Sequence, residues 1–273
     1  MSSRALAALA LATLLSACAA RPVVDSAPRS GSAIPPTLPD NPVPRAEPPS
    51  RYGNGPIYEV YGRPYKVMDS SHGYRERGVA SWYGSKFHGR MTSSQEPYDM
   101  HQLTAAHKTL PLPTYVEVRN LRNDKTVIVR VNDRGPFVDN RIIDLSYAAA
   151  RRLDMVRDGT SLVEVTAISF DAPPPPVPES IVDAASAEAQ TSPPHENRVF
   201  LQVGAFGERQ NAERRHQLLA GNGISGAFVV EEPGAEKPLF RVRIGPLADV
   251  EDYDLLVAQL ADLGITESHI VTE

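Results

Sequence analysis

The sequence predicts two folded domains in series, an all-β barrel and then an α+β domain, joined by disordered proline-rich linkers. Eleven of the 25 prolines lie within residues 22–77 and seven within 171–198, and such segments bury too little apolar surface to fold. Residues 77–170 carry several short alternating patterns with little helix, which is typical of a small barrel. Residues 198–273 alternate strand and helix patterns, which predicts a mixed domain.

The first 17 residues are predicted to be a signal peptide, and Cys18 the residue that receives lipid. Residues 5–15 are almost wholly apolar, too short a run to span a bilayer but typical of a secretory signal. The run Leu15-Ser16-Ala17-Cys18 resembles the bacterial lipobox, whose acylated cysteine anchors the protein to a membrane. By resemblance to bacterial lipoproteins, Ala19 favours the outer membrane, facing the periplasm. The alternative is an ordinary signal peptide followed by a chance cysteine.

The composition argues against several other classes of function. The formal net charge is −5, whereas binding through nucleic-acid phosphates needs clustered excess Lys and Arg. We therefore expect no nucleic-acid partner. The single cysteine cannot form an internal disulfide. The histidines are scattered without metal-ligand spacing, so neither a metal nor another cofactor is expected.

After a disordered tether over 18–76, the first domain is predicted to span residues 77–170. Its strands alternate in polarity, with a hairpin turn at 123–125, and Ser146 is a good N-cap for one short helix. In chain order these elements are a strand over 79–83, a hairpin over 115–121 and 126–131, the helix over 146–153 and a strand over 162–168.

Beyond a Pro/Ala-rich linker over 171–197, the second domain is predicted to span 198–273 in the order βαββαβ. Its strands are expected over 199–206, 224–232, 239–244 and 270–271, and its helices over 208–220 and 249–263. This topology puts both helices on one sheet face and leaves the other face open. Alternation points one set of side chains at the helices: Leu201, Val203, Val242 and Ile244. It points the other set outward, as a binding surface: Phe200, Gln202, Leu239, Arg241 and Arg243.

The runs Leu201–Phe206 and Phe240–Pro246 resemble those of a SPOR domain, the module that binds septal glycan strands lacking stem peptides. The resemblance implies glycan contacts at Gln202 and Arg241. Amide and guanidinium groups suit the hydroxyl and acetamido groups of a sugar chain. We add Phe200 and Arg243, which face the same way, to the expected glycan site, since apolar side chains suit sugar ring faces.

Two alternatives to the SPOR interpretation remain open. The polar side chains can be no more than a solvated sheet face, and the same topology occurs in RRM-like RNA binders. The predicted export of the protein and its net negative charge argue against RNA binding. Leu239 stands where some SPOR domains have Trp, which predicts weaker ring stacking on sugars.

The first domain resembles the RlpA family of rare lipoprotein A, whose double-psi β-barrel is a lytic transglycosylase in some members. The order of signal peptide, lipobox, Pro-rich spacer, barrel and SPOR domain also resembles the complete domain order of this family. The matching runs are Gly78–Gly84, Phe87–Thr92, Glu96–Asp99, Leu103–Pro111, Val131–Phe137 and Arg141–Ser146.

The resemblance implies cleavage of the MurNAc–GlcNAc β-1,4 bond in denuded septal glycan without water. An acid protonates the leaving oxygen, and the C6 hydroxyl closes a 1,6-anhydro ring at the anomeric carbon. That acid needs a raised pKa, from desolvation or a neighbouring like charge. The alternative is a non-catalytic septal peptidoglycan-binding lipoprotein. In either case the implied partners are glycan strands, the membrane and proteins of the divisome.

Three residues match functional positions of the family: Asp133, Glu96 and His107. We expect Asp133 to be the acid, Glu96 to supply the like charge or bind substrate, and His107 to orient a carboxyl or bond a sugar. Each also has a structural interpretation: Asp133 can cap its turn, Glu96 can be solvated loop, and His107 can be a satisfied buried histidine.

Two local features complete the predictions. The family commonly has Gly before the glutamate, whereas this chain has Gln95, so we expect Gln95 to adopt positive φ at a cost or the loop to be rebuilt. Trp82 and Tyr83 alternate in facing, so one is expected in the core and the other free for a sugar face.

Overall fold

The structure is a computed structural model that describes residues 37–138, 140–170, 198–232 and 238–273. Cys18, the predicted signal peptide and the predicted 171–197 linker lie outside the described residues. Within those ranges, none of the helices combines the length and apolar character that crossing a bilayer requires.

The first domain is a closed barrel of six strands in the order β3-β7-β4-β6-β5-β8, which confirms the predicted barrel. Two neighbouring pairs are parallel, β3 with β7 and β4 with β6, and the remaining pairs are antiparallel. In chain order the elements are β1 (Ile57–Val60), β2 (Arg63–Lys66), β3 (Arg75–Tyr83), β4 (Thr104–His107), β5 (Thr114–Asn120), β6 (Thr126–Asp133), β7 (Arg141–Ser146), α1 (Tyr147–Arg152) and β8 (Thr160–Ala167).

The predicted hairpin and helix are confirmed. Strands β5 and β6 pair in antiparallel register, and the Ser146 hydroxyl accepts the Ala149 N–H at 3.2 Å, which caps α1. Alternation of β6 sends Val127, Val129 and Val131 into the barrel interior, where each is fully buried.

Strands β4 and β7 were not predicted. Strand β4 has only four residues and three of them are buried, so its sequence carries no apolar-polar alternation. It lies between β6 and β7, where neighbours cover it from both sides. Pairing with β6 and β7 therefore determines that this segment is a strand, and its own sequence pattern does not.

The prediction of a disordered tether is wrong for residues 37–76. Strands β1 and β2 form an antiparallel hairpin, and the rings of Tyr58 and Tyr65 stack across it with centroids 5.3 Å apart. The hydroxyl of Tyr58 donates to the backbone oxygen of Lys108 at 2.7 Å.

Residues before this hairpin also bind the barrel. The side-chain amide of Asn54 donates to the Leu112 carbonyl at 2.6 Å and accepts the Leu112 N–H at 2.8 Å. The carboxylate of Glu47 pairs with Arg130 at 2.8 Å. Composition predicts disorder because the segment cannot fold alone, but the barrel supplies the partners that the segment lacks.

The second domain confirms the predicted βαββαβ order. Its sheet is antiparallel in the order β10-β11-β9-β12. On α3, the side chain of Asp249 caps the helix by accepting the Asp252 N–H at 2.9 Å, and Leu256 and Leu260 are the buried stripe. The elements are β9 (Val199–Phe206), α2 (Arg209–Gly221), β10 (Ala227–Glu231), β11 (Phe240–Ile244), α3 (Val250–Asp262) and β12 (His269–Thr272).

Candidate active site

Asp133 is the last residue of β6, and a loop over residues 91–97 folds across it. One carboxylate oxygen, Oδ1, accepts three hydrogen bonds: from Ser93 N at 2.7 Å, from Ser93 Oγ at 2.7 Å and from Arg134 N at 2.8 Å. Three donors on one oxygen fix the orientation of the Asp133 side chain at the end of β6.

Glu96 lies on the same loop, as a carboxylate. Nη1 of Arg130 donates to both Glu96 oxygens at 3.0 and 2.7 Å, and Asn132 Nδ2 donates at 2.8 Å. Burial acts to raise the pKa of Glu96, but these hydrogen bonds and the Arg130 charge hold the pKa below its ordinary value. The charge of Glu96 is therefore compensated by Arg130, which differs from the expectation that it raises the pKa of Asp133.

The turn that carries Glu96 has the strain that the sequence predicts. Gln95 adopts φ of 66°, in the left-handed region that glycine occupies without cost. The backbone is held there because Thr92 N donates to the Glu96 carbonyl at 2.8 Å and Gln95 N donates to the Thr92 carbonyl at 2.9 Å. The sequence therefore keeps the loop conformation without the glycine.

His107 is a buried and fully satisfied histidine, 3% exposed. Its Nδ1 accepts the backbone N–H groups of Thr109 and Leu110 at 3.1 and 3.0 Å. Its Nε2 therefore carries the proton, and lies 2.8 Å from the hydroxyl of Tyr74. Burial first, and then the charges of Arg134 and Lys108, lower the pKa of His107 to about 3.

The structure does not bring His107 to the two carboxylates. Ala106 is the register partner of Asp133, so these two side chains share a barrel face. His107 follows Ala106 on β4 and points to the other face. The His107 ring is bonded to Tyr74, Thr109 and Leu110 and to neither of the two carboxylates.

Arg134 is a residue of the site that sequence reasoning missed. Its buried guanidinium donates to the backbone oxygens of Gly53 at 2.9 Å, Leu110 at 2.6 Å and His107 at 3.2 Å. It thereby ties the turn after Asp133 to two other segments. Ser93, which holds Asp133, and Arg130, which holds Glu96, were missed as well. Most of the groups that these three residues bond are distant from them in sequence. The one signal available in the sequence was Arg134, a charged residue inside a run that matches the family.

Of the two adjacent aromatic residues, Tyr83 is the more buried. It is 8% exposed and stacks on Tyr98 with centroids 4.1 Å apart. Trp82 is half-buried and packs against Tyr147 at 5.6 Å. Trp82 also packs against the barrel core, so the structure does not leave one of the two rings free as the alternation predicts.

On the open sheet face of the second domain, two expected contacts are less exposed than alternation predicts. Gln202 is 8% exposed and Phe200 is 3% exposed. Phe200 is covered because the ring of Phe228 packs edge-on against it at 5.6 Å and the Arg198 guanidinium lies 6.0 Å from its centroid. Bulky neighbours on the same face thus bury a ring that the period-2 rule points outward.

The two arginines of this face are paired within the chain. Arg241 donates to Glu232 at 2.7 Å and to the Gln202 side-chain oxygen at 3.4 Å, and Arg243 pairs with Glu273. The result is a polar network across the open face. Across the described ranges, no group of three or more His, Cys, Asp and Glu side chains is arranged to hold a metal.

Comparison with known proteins agrees with both domains. A family model described as "Lytic transglycolase" matches residues 75–165, and a SPOR domain model matches 196–272. The crystal structure of the RlpA SPOR domain from Pseudomonas aeruginosa is 25% identical, covers 27% of this chain and 96% of that chain, and gives a TM-score of 0.25.

Full-length relatives extend the match. The endolytic peptidoglycan transglycosylase RlpA of Vibrio cholerae is 39% identical over 226 residues, which are 82% of this chain and 79% of the relative. The protein of the same name from Neisseria meningitidis serogroup A is 41% identical over 199 residues, or 71% of this chain and 74% of the relative. The SPOR domain marks a peptidoglycan-associated protein of the cell envelope. The chain belongs to the RlpA family, with a double-psi barrel followed by a SPOR domain.

Proposed function

We propose that this chain is an endolytic peptidoglycan lytic transglycosylase. It cleaves MurNAc–GlcNAc β-1,4 bonds in denuded septal glycan and leaves 1,6-anhydroMurNAc ends. The observation that carries the proposal is the pair of oriented carboxylates, Asp133 and Glu96, held on one loop-and-strand junction of the barrel. Family membership supports the same reaction.

Asp133 is assigned to the reacting centre. Positive charge develops at the anomeric carbon as the glycosidic bond breaks, and a fixed carboxylate stabilises it. The three donors on Oδ1 hold the group in position before the substrate arrives, so little reorganisation is needed. The same carboxylate takes the proton of the C6 hydroxyl as the anhydro ring closes.

Glu96 is assigned to substrate binding. Its side chain is 41% exposed while Arg130 and Asn132 fix its orientation. Carboxylate oxygens retain lone pairs beyond these bonds and accept hydrogen bonds from sugar hydroxyls. His107 is assigned a positioning role, because its Nδ1 holds the Leu110 N–H and the Leu110 carbonyl receives Arg134 next to Asp133.

The SPOR domain is assigned to glycan binding through Gln202, Arg241 and Arg243, with Phe200 as the apolar floor beneath them. The internal ion pairs of this face hold the guanidinium groups extended along the sheet. Guanidinium groups donate several hydrogen bonds, which suits the hydroxyl and acetamido oxygens of a glycan.

The remaining predictions stand as part of this proposal. Residues 1–17 are the signal peptide, and Cys18 carries the lipid that anchors the chain in the outer membrane. The catalytic domain spans 77–170 and the SPOR domain 198–273, which directs the protein to the septum and to proteins of the divisome.

The test is product analysis. Purified full-length protein is incubated with sacculi whose stem peptides an amidase has removed, and the soluble fragments are analysed by mass spectrometry. The proposal predicts fragments ending in 1,6-anhydroMurNAc, and more of them from denuded than from untreated sacculi. Binding to the sacculi without any fragment would instead support the non-catalytic wall-binding protein.

A further inference from the structure

The site contains a third acidic residue, Asp144 on β7, in the same row of paired residues across the sheet as Asp133. The register pairs Ser81 with Asp144, Asp144 with Ala106, and Ala106 with Asp133. Directly paired residues point to the same sheet face, so four side chains stand abreast across β3, β7, β4 and β6. Two strand spacings separate the two aspartates, which puts their Cα atoms about 10 Å apart.

The space between the two carboxyl groups is lined by very small residues. Ala106 stands between them, and Gly135 lies above it with φ of 138°. A Cβ added at Gly135 would lie 3.8 Å from the Ala106 Cβ, 3.9 Å from Asp144 Oδ2 and 3.9 Å from the Phe137 ring. A longer side chain there would crowd Asp144 Oδ2, so the glycine keeps that oxygen approachable.

The surroundings of Asp144 differ from those of Asp133. The hydrogen bond that Asp144 accepts within the described residues comes from Ser81 to Oδ1. Burial, joined by the negative charge of Asp133, raises the pKa of Asp144 above its ordinary value, against the opposing effects of Ser81, Arg141 and Lys108. A carboxyl group with a raised pKa, beside a second carboxyl group that three hydrogen bonds hold in place, is an arrangement suited to acid-base chemistry.

We propose that Asp144 is the proton donor to the glycosidic oxygen, with Asp133 as the carboxylate that faces it across Ala106. This inference rests on the proposed transglycosylase function. Oδ2 of Asp144 gives its proton to O4 of the leaving GlcNAc, and the C1–O4 bond breaks with its electron pair remaining on O4. The MurNAc C6 oxygen bonds to C1, and its proton passes to Asp133. Proton exchange with solvent restores both groups, and no oxidant or water is consumed.

A purely structural role is the competing explanation. The Arg141 guanidinium donates to Ser81 Oγ at 3.0 Å, and Ser81 in turn donates to Asp144. This chain of bonds ties β3 to β7 and would explain a half-buried aspartate without catalysis. The two roles differ in what they predict for the amide variant and for removal of the serine hydroxyl.

The first test is Asp144→Asn in the full-length protein, with Asp158→Asn, an exposed aspartate, as the matched control. Asparagine still accepts the Ser81 bond, so the fold is expected to survive. We expect kcat on denuded glycan to fall by at least about 100-fold, since general acid catalysis contributes on that scale, with KM within about threefold. A variant that keeps half of the wild-type rate would overturn the assignment. If the wild type itself forms no anhydro ends, the proposed function fails instead.

The second test is the pH profile of Ser81→Ala. Losing the Ser81 bond removes an effect that lowers the pKa of Asp144, so the proton is held to higher pH and the alkaline limb of kcat moves upward. The other groups facing Asp144 are unchanged: Asp133, Arg141, Lys108 and the neutral Tyr83, whose pKa burial raises. An unmoved limb would contradict the proposal, and this test stands even if Asp144→Asn does not fold.

Discussion

The barrel and the SPOR domain both carry charged side chains on the outer face of a sheet, but they hold them differently. In the barrel, three hydrogen bonds fix Asp133 from one side and Asp144 is mostly removed from water. In the SPOR domain, Arg241 and Arg243 sit in single ion pairs with glutamates. Bond cleavage needs fixed protonation states, whereas binding a repetitive glycan needs only donors that can change partners. Cutting and binding should therefore be separable by mutation.

The largest expected effect is on cutting. Asp133→Asn keeps an Oδ1 acceptor for all three donors, so it removes charge while preserving geometry. We expect anhydro-product formation to fall by about 1,000-fold, because the variant loses both electrostatic stabilisation and the base. Binding to denuded sacculi should remain. Chromatography of the released fragments measures the rate, with Asp158→Asn as control, and near-normal cutting would remove Asp133 from the mechanism.

The next effect is on stability. His107→Ala leaves the buried N–H groups of Thr109 and Leu110 without their acceptor and opens a cavity. We expect the barrel to lose about 2–4 kcal/mol of its free energy of unfolding, measured by urea denaturation. His72→Ala changes an exposed histidine of the same domain and serves as control. Equal stabilities for the two variants would show that His107 does not hold this part of the fold.

A pH dependence of stability follows from the same residue. Folded His107 has a pKa of about 3, against an unfolded value near 6.5, so the unfolded chain binds a proton between these pH values that the folded chain does not. Barrel stability should therefore fall as pH drops from 6.5 towards 3, by up to about 1.4 kcal/mol per pH unit. Urea midpoints across this range measure the slope, and His107→Gln should flatten it. A wild-type midpoint that is constant with pH would contradict the buried neutral histidine.

Glu164 adds to acid sensitivity at lower pH. Although burial opposes it, hydrogen bonds from Arg75 and Arg77 lower the pKa of Glu164 to about 2. Its contribution is complete above the unfolded pKa near 4.5 and is lost as pH falls towards 2.

The smallest expected effect is on binding. Arg241→Ala removes the guanidinium that joins Glu232 to Gln202 on the SPOR face. We expect affinity for denuded glycan to weaken about fivefold to tenfold, the value of roughly one hydrogen bond, measured by co-sedimentation with sacculi. Arg214→Ala makes the same charge change on the exposed side of α2. If both variants bind equally, the open sheet face is not the glycan site.

Much of the fold could be predicted from the sequence because its longer elements carry their own patterns. The β5–β6 hairpin has alternation and a polar turn, and the helices of the SPOR domain have apolar stripes and caps. Strand β4 and residues 37–76 could not be predicted in the same way. Their structure depends on backbone partners that the barrel supplies from distant parts of the chain.

The site shows the same division. The family motifs identified Asp133 and Glu96 as candidates. The structure places both where the 91–97 loop meets the end of β6. The hydrogen bonds that hold them could not be predicted, because two of the three donors to Asp133 come from Ser93, forty residues earlier in the chain. Asp144 was missed because its setting is a register across three strands. The groups that surround a carboxyl are set by the fold, so they cannot be read from the local sequence.

The central claim is that paired carboxyl groups on the barrel break the glycan with an internal hydroxyl instead of water. Digestion of denuded glycan in heavy-oxygen water tests it most directly, with mass spectrometry of the new MurNAc ends. Wild-type protein should yield anhydro ends that contain no solvent oxygen and are lighter than hydrolysed ends by one water. Reducing ends carrying the heavy oxygen would identify a hydrolase and contradict the account.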